Sequence, residues 1–181
     1  MVYIANMAGI LAVAVFVLSY QVKKRRGIIF FNAASRVLYV AQYLLLGAYE
    51  GALMDLVAFL ISVFTQKADA PLIKRHYIAA IVVSNLLIVA TGLLLYQNVF
   101  SLLPIFGVIF ETMALWLKKE KQIRVISFFG APFWLAYNLT ASAYGSAIGN
   151  VITMCSIVIA IFRYDILRKD GTEQSSKEEC K

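Results

Sequence analysis

Three ionisable residues, Arg36, Asp55 and Glu111, lie inside long apolar runs of this 181-residue chain. On insertion scales a charged group at the centre of a spanning helix costs about 2.5–3.5 kcal/mol, so such residues persist where they are paired or face water. Arg36 sits nine residues into its run, and Glu111 six residues before the end of its own. At 1.5 Å per residue these depths are about 13 and 9 Å from a shared end, a difference an arginine side chain can span. An Arg36–Glu111 ion pair is therefore allowed, either as a pin between two helices or as a gate. Asp55 is expected at a different depth from Glu111, free to bind a proton or a cationic group or to hydrogen-bond a hydroxyl. Around these charges, Tyr39 and Tyr43 are one helical turn apart, as are Trp134 and Asn138, so each pair shares a face. Rings for stacking and amides for orientation suit a flat or sugar-like polar solute. The candidate substrate contacts are Tyr39, Gln42, Tyr43, Asp55, Trp134, Tyr137, Asn138 and Asn150.

Catalytic parts are missing. No HExxH and no Ser/His arrangement occurs, and the two cysteines, Cys155 and Cys180, form no CxxC. Catalysis needs a nucleophile with a base, paired carboxylates or a metal cluster. No enzyme activity, catalytic residue, metal or cofactor is expected.

The elements that position these residues read as membrane helices. Hydrophobic residues make up 61% of the chain and charged residues 15%, with a mean hydropathy of +0.78. A soluble domain runs nearer one quarter charged. Seven runs approach the roughly 20 residues a bilayer requires: about 3–22, 27–47, 51–66, 76–96, 98–117, 122–142 and 145–164. The N-terminal run lacks a charged leader and a small-residue cleavage site and is expected to be retained.

Every second gap is basic. Lys23–Arg26 follow the first run, Lys67, Lys74 and Arg75 the third, Lys118, Lys119, Lys121 and Arg124 the fifth, and Arg163, Arg168, Lys169, Lys177 and Lys181 the seventh. The alternate gaps hold no Lys or Arg. Positive residues are retained in the cytoplasm, which puts the N-terminus outside and the C-terminus inside. The basic clusters lack the interleaved aromatics of a nucleic-acid surface, so membrane lipids are the expected partner and nucleic acid is not. A homo-oligomer is possible. His76 falls at a cytoplasmic helix end and reads as solvated, and the Asn138-Leu139-Thr140 sequon falls inside a run.

Sliding the chain on itself by 95 residues aligns Lys23-Lys24 with Lys118-Lys119 and GAYEGA with SAYGSA, with 11 identities over positions 4–64. The fold expected is an all-α integral membrane protein: two parallel three-helix repeats, 1–66 and 98–164, joined by a linker helix in 67–97, with a polar disordered tail over 165–181. Parallel repeats are a transporter plan with the substrate site between them. Under the offset Asp55 pairs with Asn150, Tyr39 with Trp134, Gln42 with Tyr137 and Tyr43 with Asn138. Arg36 pairs with Ala131 and Glu111 with Phe16, so those two charges break the symmetry. Gly9 pairs with Pro104, and with Pro132 these are the candidate hinges.

The stretches LSYQ, LLLGAYEGA, PFWLAYN and IFRYDI resemble the YgjV-type family of bacterial inner-membrane proteins over most of residues 10–167. That resemblance implies a multi-pass protein of the bacterial inner membrane. The three-plus-one-plus-three plan is also similar to SWEET-type sugar transporters, PQ-loop proteins and PnuC vitamin transporters. Trp134, Asn138, Asp55 and Asn150 are similar to residues lining those sites. The motifs depart from them: Tyr20-Gln21 keeps only the glutamine of a Pro-Gln pair, and Leu115-Trp116 stands at the equivalent place. The expectation is a transporter for a small polar solute of nucleoside, vitamin or sugar type, working by alternating access and facilitated diffusion. The alternative is a non-transporting membrane scaffold or receptor that binds a protein or lipid.

Overall fold

A computed structural model describes residues 2–68 and 70–166; the tail with Arg168, Lys169, Lys177, Cys180 and Lys181 lies outside the described residues. Among those described, the regular elements are all helical. They are α1 (Val2–Gln21), α2 (Arg25–Leu46), α3 (Tyr49–Gln66), the short α4 (Pro71–Arg75), α5 (Tyr77–Leu94), a 3-10 turn (Val99–Ser101), α6 (Leu102–Trp116), α7 (Glu120–Thr140), α8 (Tyr144–Ile161) and a closing π turn (Phe162–Ile166). Six helices are long and apolar enough to cross a membrane: α1, α2, α3, α5, α6 with its 3-10 turn, and α8. The run expected over 122–142 is helical as α7, and its 21 residues are long enough. It falls short in apolar character because Arg124, Ser127 and Asn138 occupy its buried face.

The outward surface is what a bilayer requires. Large apolar side chains such as Ile4, Leu18, Phe30, Leu60, Val83, Leu94, Phe129 and Ile152 are exposed, and lipid chains are as apolar as these residues. The inside holds the polar groups, with Asn32, Arg36, Gln42, Asp55, Glu111, Arg124 and Asn138 all buried. Several buried hydroxyls are satisfied within their own helix, as Ser62 donates to the Ala58 carbonyl, Thr65 to Ile61 and Thr112 to Val108. Hydroxyls bonded back to the preceding turn need no partner from another helix, so they mark no site.

Helix boundaries recur at the 95-residue offset. α1 and α6 end at Gln21 and Trp116, α2 and α7 begin at Arg25 and Glu120, α3 and α8 begin at Tyr49 and Tyr144, and they end at Gln66 and Ile161. The turn after α2 places Gly47 at φ 72°, and the turn after α7 places Ser142 at φ 57°. In each, the amide one residue past the left-handed residue returns to the last turn: Ala48 to the Tyr43 carbonyl and Ala143 to the Asn138 carbonyl, both at 2.9 Å. A left-handed residue is the usual way to end a helix and turn the chain back. Glycine takes that conformation freely, whereas Ser142 takes it against its own Cβ.

Packing follows the same order. α1 lies on α2 and α2 on α3, while α6 lies on α7 and α7 on α8; α1 meets α8, and α3 meets α6. α5 touches α3 and α6 and is the least buried of the long helices. The 67–97 segment holds α4 as well as α5, separated at the exposed His76.

Of the three expected hinges, Pro132 alone interrupts a helix interior. α6 starts at Leu102, so Pro104 sits in its first turn, where a missing N–H costs no bond. Gly9 is a site of close packing: a Cβ there would run into the Gln42 side chain.

Candidate functional site: a buried ion triad between the two halves

Arg36 reaches from α2 to two carboxylates. Its Nη1 donates to Asp55 Oδ1 on α3 at 2.6 Å and its Nη2 to Glu111 Oε2 on α6 at 2.7 Å. Its Nε donates to Asn32 Oδ1, one turn earlier on α2, at 3.1 Å. The expected Arg36–Glu111 contact is present, and Asp55 is part of it rather than at another depth. α2 and α3 run antiparallel through the Gly47 turn, so Asp55 comes down beside Arg36 as the chain re-enters. All three side chains are at most 6% exposed. Charges this buried need each other: removing one partner of such a pair costs about 3–5 kcal/mol.

The triad borders a central cavity with about 20 Å³ of water-accessible space, lined by Phe16, Arg36, Tyr39, Tyr43, Asp55, Glu111, Trp134, Asn138 and Asn150. Tyr43 stacks between Tyr39 and Trp134, with centroids 6.4 and 6.1 Å away. Phe16 meets Tyr39 edge-on. The Tyr43 hydroxyl donates to Asn138 Oδ1 at 2.6 Å; Asn138 Nδ2 donates to Asn150 Oδ1, and Asn150 Nδ2 to the Ala131 carbonyl, both at 3.3 Å. Positions 43 and 138 are themselves related by the 95-residue offset, so this bond joins one position to its own counterpart. The Trp134 indole lies in the same wall as Glu111.

Six of the eight expected solute contacts line this cavity. Gln42 and Tyr137 do not, because each is one residue before Tyr43 or Asn138 and therefore about 100° around its helix. They make a matched pair of contacts instead. Gln42 Oε1 accepts from the Ser146 hydroxyl at 2.6 Å, and Tyr137 Oη accepts from the Gly51 amide at 2.9 Å. Positions 42 and 137, and 51 and 146, are 95 apart, so one contact is the counterpart of the other across the two halves.

Tyr137 packs edge-on against Tyr43 and Trp134 of the cavity wall. At the charge-poor end lies a vestibule of about 440 Å³ lined by Gly47, Ala48, Tyr49, Glu50, Gln97, Asn98, Phe100, Tyr137, Thr140 and Ala141. Glu50 is its one charged residue among those described, and it accepts from Ser101 Oγ at 2.9 Å.

The basic end is held by two arginines that the sequence reading left in the loops. Arg25 donates from Nε to the Leu117 carbonyl at 2.9 Å and from Nη2 to Leu115 at 2.8 Å. Arg124, 1% exposed, donates to the Tyr20 and Val22 carbonyls at 3.3 Å each. Carbonyls 20 and 22 are the 95-offset counterparts of 115 and 117. Each arginine thus caps the end of the other half's first helix, where unsatisfied carbonyls and the negative end of the dipole favour a cation. The Tyr77 hydroxyl adds a donor to the Trp116 carbonyl. Arg25 also lines a surface cleft of about 520 Å³ with Ala68, Lys74, Tyr77, Trp116 and Lys118.

Asn32, Phe16 and the two arginines were absent from the sequence-derived site. Asn32 had a readable signal, a polar residue one turn from a buried arginine. Phe16 had one as well, being the offset partner of Glu111. The arginines had none, since a basic residue at a helix end reads as a loop charge.

Residues 3–168 match the family described as Imp-YgjV, bacterial inner membrane protein. No curated protein matches the chain, and no solved structure does.

Proposed function

We propose that this chain, which belongs to the Imp-YgjV family of bacterial inner membrane proteins, is a transporter for a small polar solute. Its seven long helices form two parallel triplets, α1–α3 and α6–α8, joined through α5. The N-terminus faces outward and the basic end faces the cytoplasm. The triplets rock against each other, and the solute sits between Tyr39, Tyr43, Asp55, Trp134, Asn138 and Asn150. Arg36 and Glu111 tie the triplets together at the same depth.

The observation that carries this reading is a cavity lined by charged and polar side chains from both halves, with matched contacts between the halves elsewhere in the bundle. Tyr137–Gly51 and Gln42–Ser146 close one side; the Arg25 and Arg124 caps close the other. Opening one set while keeping the other is what alternating access requires. The cavity, at about 20 Å³, holds about one water in this conformation, so the structure corresponds to a closed state that must widen to admit a solute.

The small volume is also the observation that favours a non-transporting scaffold, for which a filled bundle is sufficient. Uptake by proteoliposomes offered a panel of nucleosides, vitamins, sugars and small amines separates the two. Flux of at least one solute, abolished by Asn138→Leu, is expected. Absence of flux for the whole panel, with protein that is folded and monodisperse, supports the scaffold.

A further inference from the structure

The central cavity carries one negative charge more than it can balance. Arg36 supplies one formal positive charge and the Asp55 and Glu111 carboxylates two negative ones. Arg36 is the sole cation among the described residues lining the cavity. The other ionisable groups packed near it are the phenols of Tyr20, Tyr39 and Tyr43, which contribute no positive charge. In a low-dielectric interior an unbalanced charge is costly, so the site must recruit one positive charge from outside.

The rest of the wall narrows what that charge rides on. Phe16, Tyr39, Tyr43 and Trp134 present four aromatic rings, the side chains that attract organic cations through their faces. The charge-poor vestibule agrees, since its one charged residue among those described is Glu50, a sign that attracts cations toward the cavity.

We propose that the solute is a small monocation, an amine or quaternary ammonium, and that a proton on the Asp55–Glu111 pair takes its place when it is absent. This rests on the transport reading for its meaning but not for its test. When the cation binds, the O–H of the protonated carboxyl breaks and its proton leaves to water, so total charge in the cavity is unchanged.

The test uses intrinsic fluorescence of detergent-solubilised full-length protein carrying Trp116→Phe, which leaves Trp134 as its one tryptophan. Titrants are choline, ethanolamine and methylammonium chlorides, with uridine, glucose and acetate alongside. The expected result is a saturable change with the amines, tighter at higher pH, and none with the neutral or anionic compounds. Asp55→Asn and Glu111→Gln should each weaken amine binding at least tenfold and flatten its pH dependence, while Glu120→Gln, at the start of α7 and outside the cavity, should not. If one carboxylate variant fails to fold, the other and the unsubstituted carboxylates still decide the matter. Binding of uridine or glucose in preference to the amines overturns the proposal, as does a signal indifferent to every compound and to pH. Amine binding without amine uptake in vesicles would leave this inference standing and sink the transporter reading; uptake of a neutral solute without amine binding would do the reverse.

Discussion

The ends of the molecule and its middle follow different rules. At the ends the two halves make the same contacts: Gln42–Ser146 against Tyr137–Gly51, and Arg124 on carbonyls 20 and 22 against Arg25 on carbonyls 115 and 117. In the middle the halves diverge. Arg36 stands where the second half has Ala131, and Glu111 where the first half has Phe16. A repeated frame with an unrepeated charge set separates what holds the bundle from what gives it chemistry. The frame is made at equivalent positions by different residues, and the triad is made once.

The largest effect should come from the middle. Arg36→Gln leaves two carboxylates buried without their cation and should cost about 3–5 kcal/mol, read as a large drop in melting temperature in detergent or as loss of folded protein. Rescue by Asp55→Asn and Glu111→Gln together, which removes the unpaired charge, would show that the cost is electrostatic. Persistence of the defect would assign it to lost packing.

The basic end should respond next, and unequally. Arg124 is 1% exposed whereas Arg25 is half-buried, so Arg124→Ala should destabilise more than Arg25→Ala. A cap of this kind is worth up to about 2 kcal/mol when partly buried. Alkylation of a cysteine placed at the buried Ser127, with Cys155 and Cys180 removed, should quicken several-fold in either variant. Equal, unchanged rates would mean the two arginines do not close that end.

A smaller effect belongs to the bond that joins equivalent positions. Tyr43→Phe removes the hydroxyl given to Asn138, and polar contacts between helices in a membrane average about 0.6 kcal/mol in double-mutant cycles. The cycle with Asn138→Ala should return a coupling of that order, and a coupling near zero would contradict the 2.6 Å geometry. The smallest change should be a gain. Ser142→Gly removes the Cβ from a residue at φ 57° and makes its turn like the one at Gly47. A rise of under about 1 kcal/mol is expected.

Much of this was legible in the sequence. The apolar runs gave the helices, and the 95-residue offset anticipated boundaries such as Tyr49 and Tyr144. The one-turn spacing of Tyr39 with Tyr43 and of Trp134 with Asn138 brought those residues to one cavity. What escaped were facts of rotation and register. Gln42 and Tyr137 were grouped with their neighbours although a single residue turns the side chain away from the cavity. Asp55 was separated from Glu111 because depth was counted along each run without the antiparallel return through Gly47. Pro104 was read as a kink because the 3-10 turn over Val99–Ser101 delays the helix start. Arg124 was assigned to a loop, since hydropathy cannot tell a solvated helix end from one tucked under a neighbour.

The claim on which the rest depends is that the cavity opens to each side in turn. Single cysteines at Asn150 and at Phe16, in a background without Cys155 and Cys180, can be probed with a membrane-impermeant maleimide in right-side-out and inside-out vesicles. Alternating access predicts that each position is alkylated from both faces, with the two rates shifting in opposite directions when solute is added. Alkylation from neither face, or from one face alone at a rate that solute leaves unchanged, would contradict it.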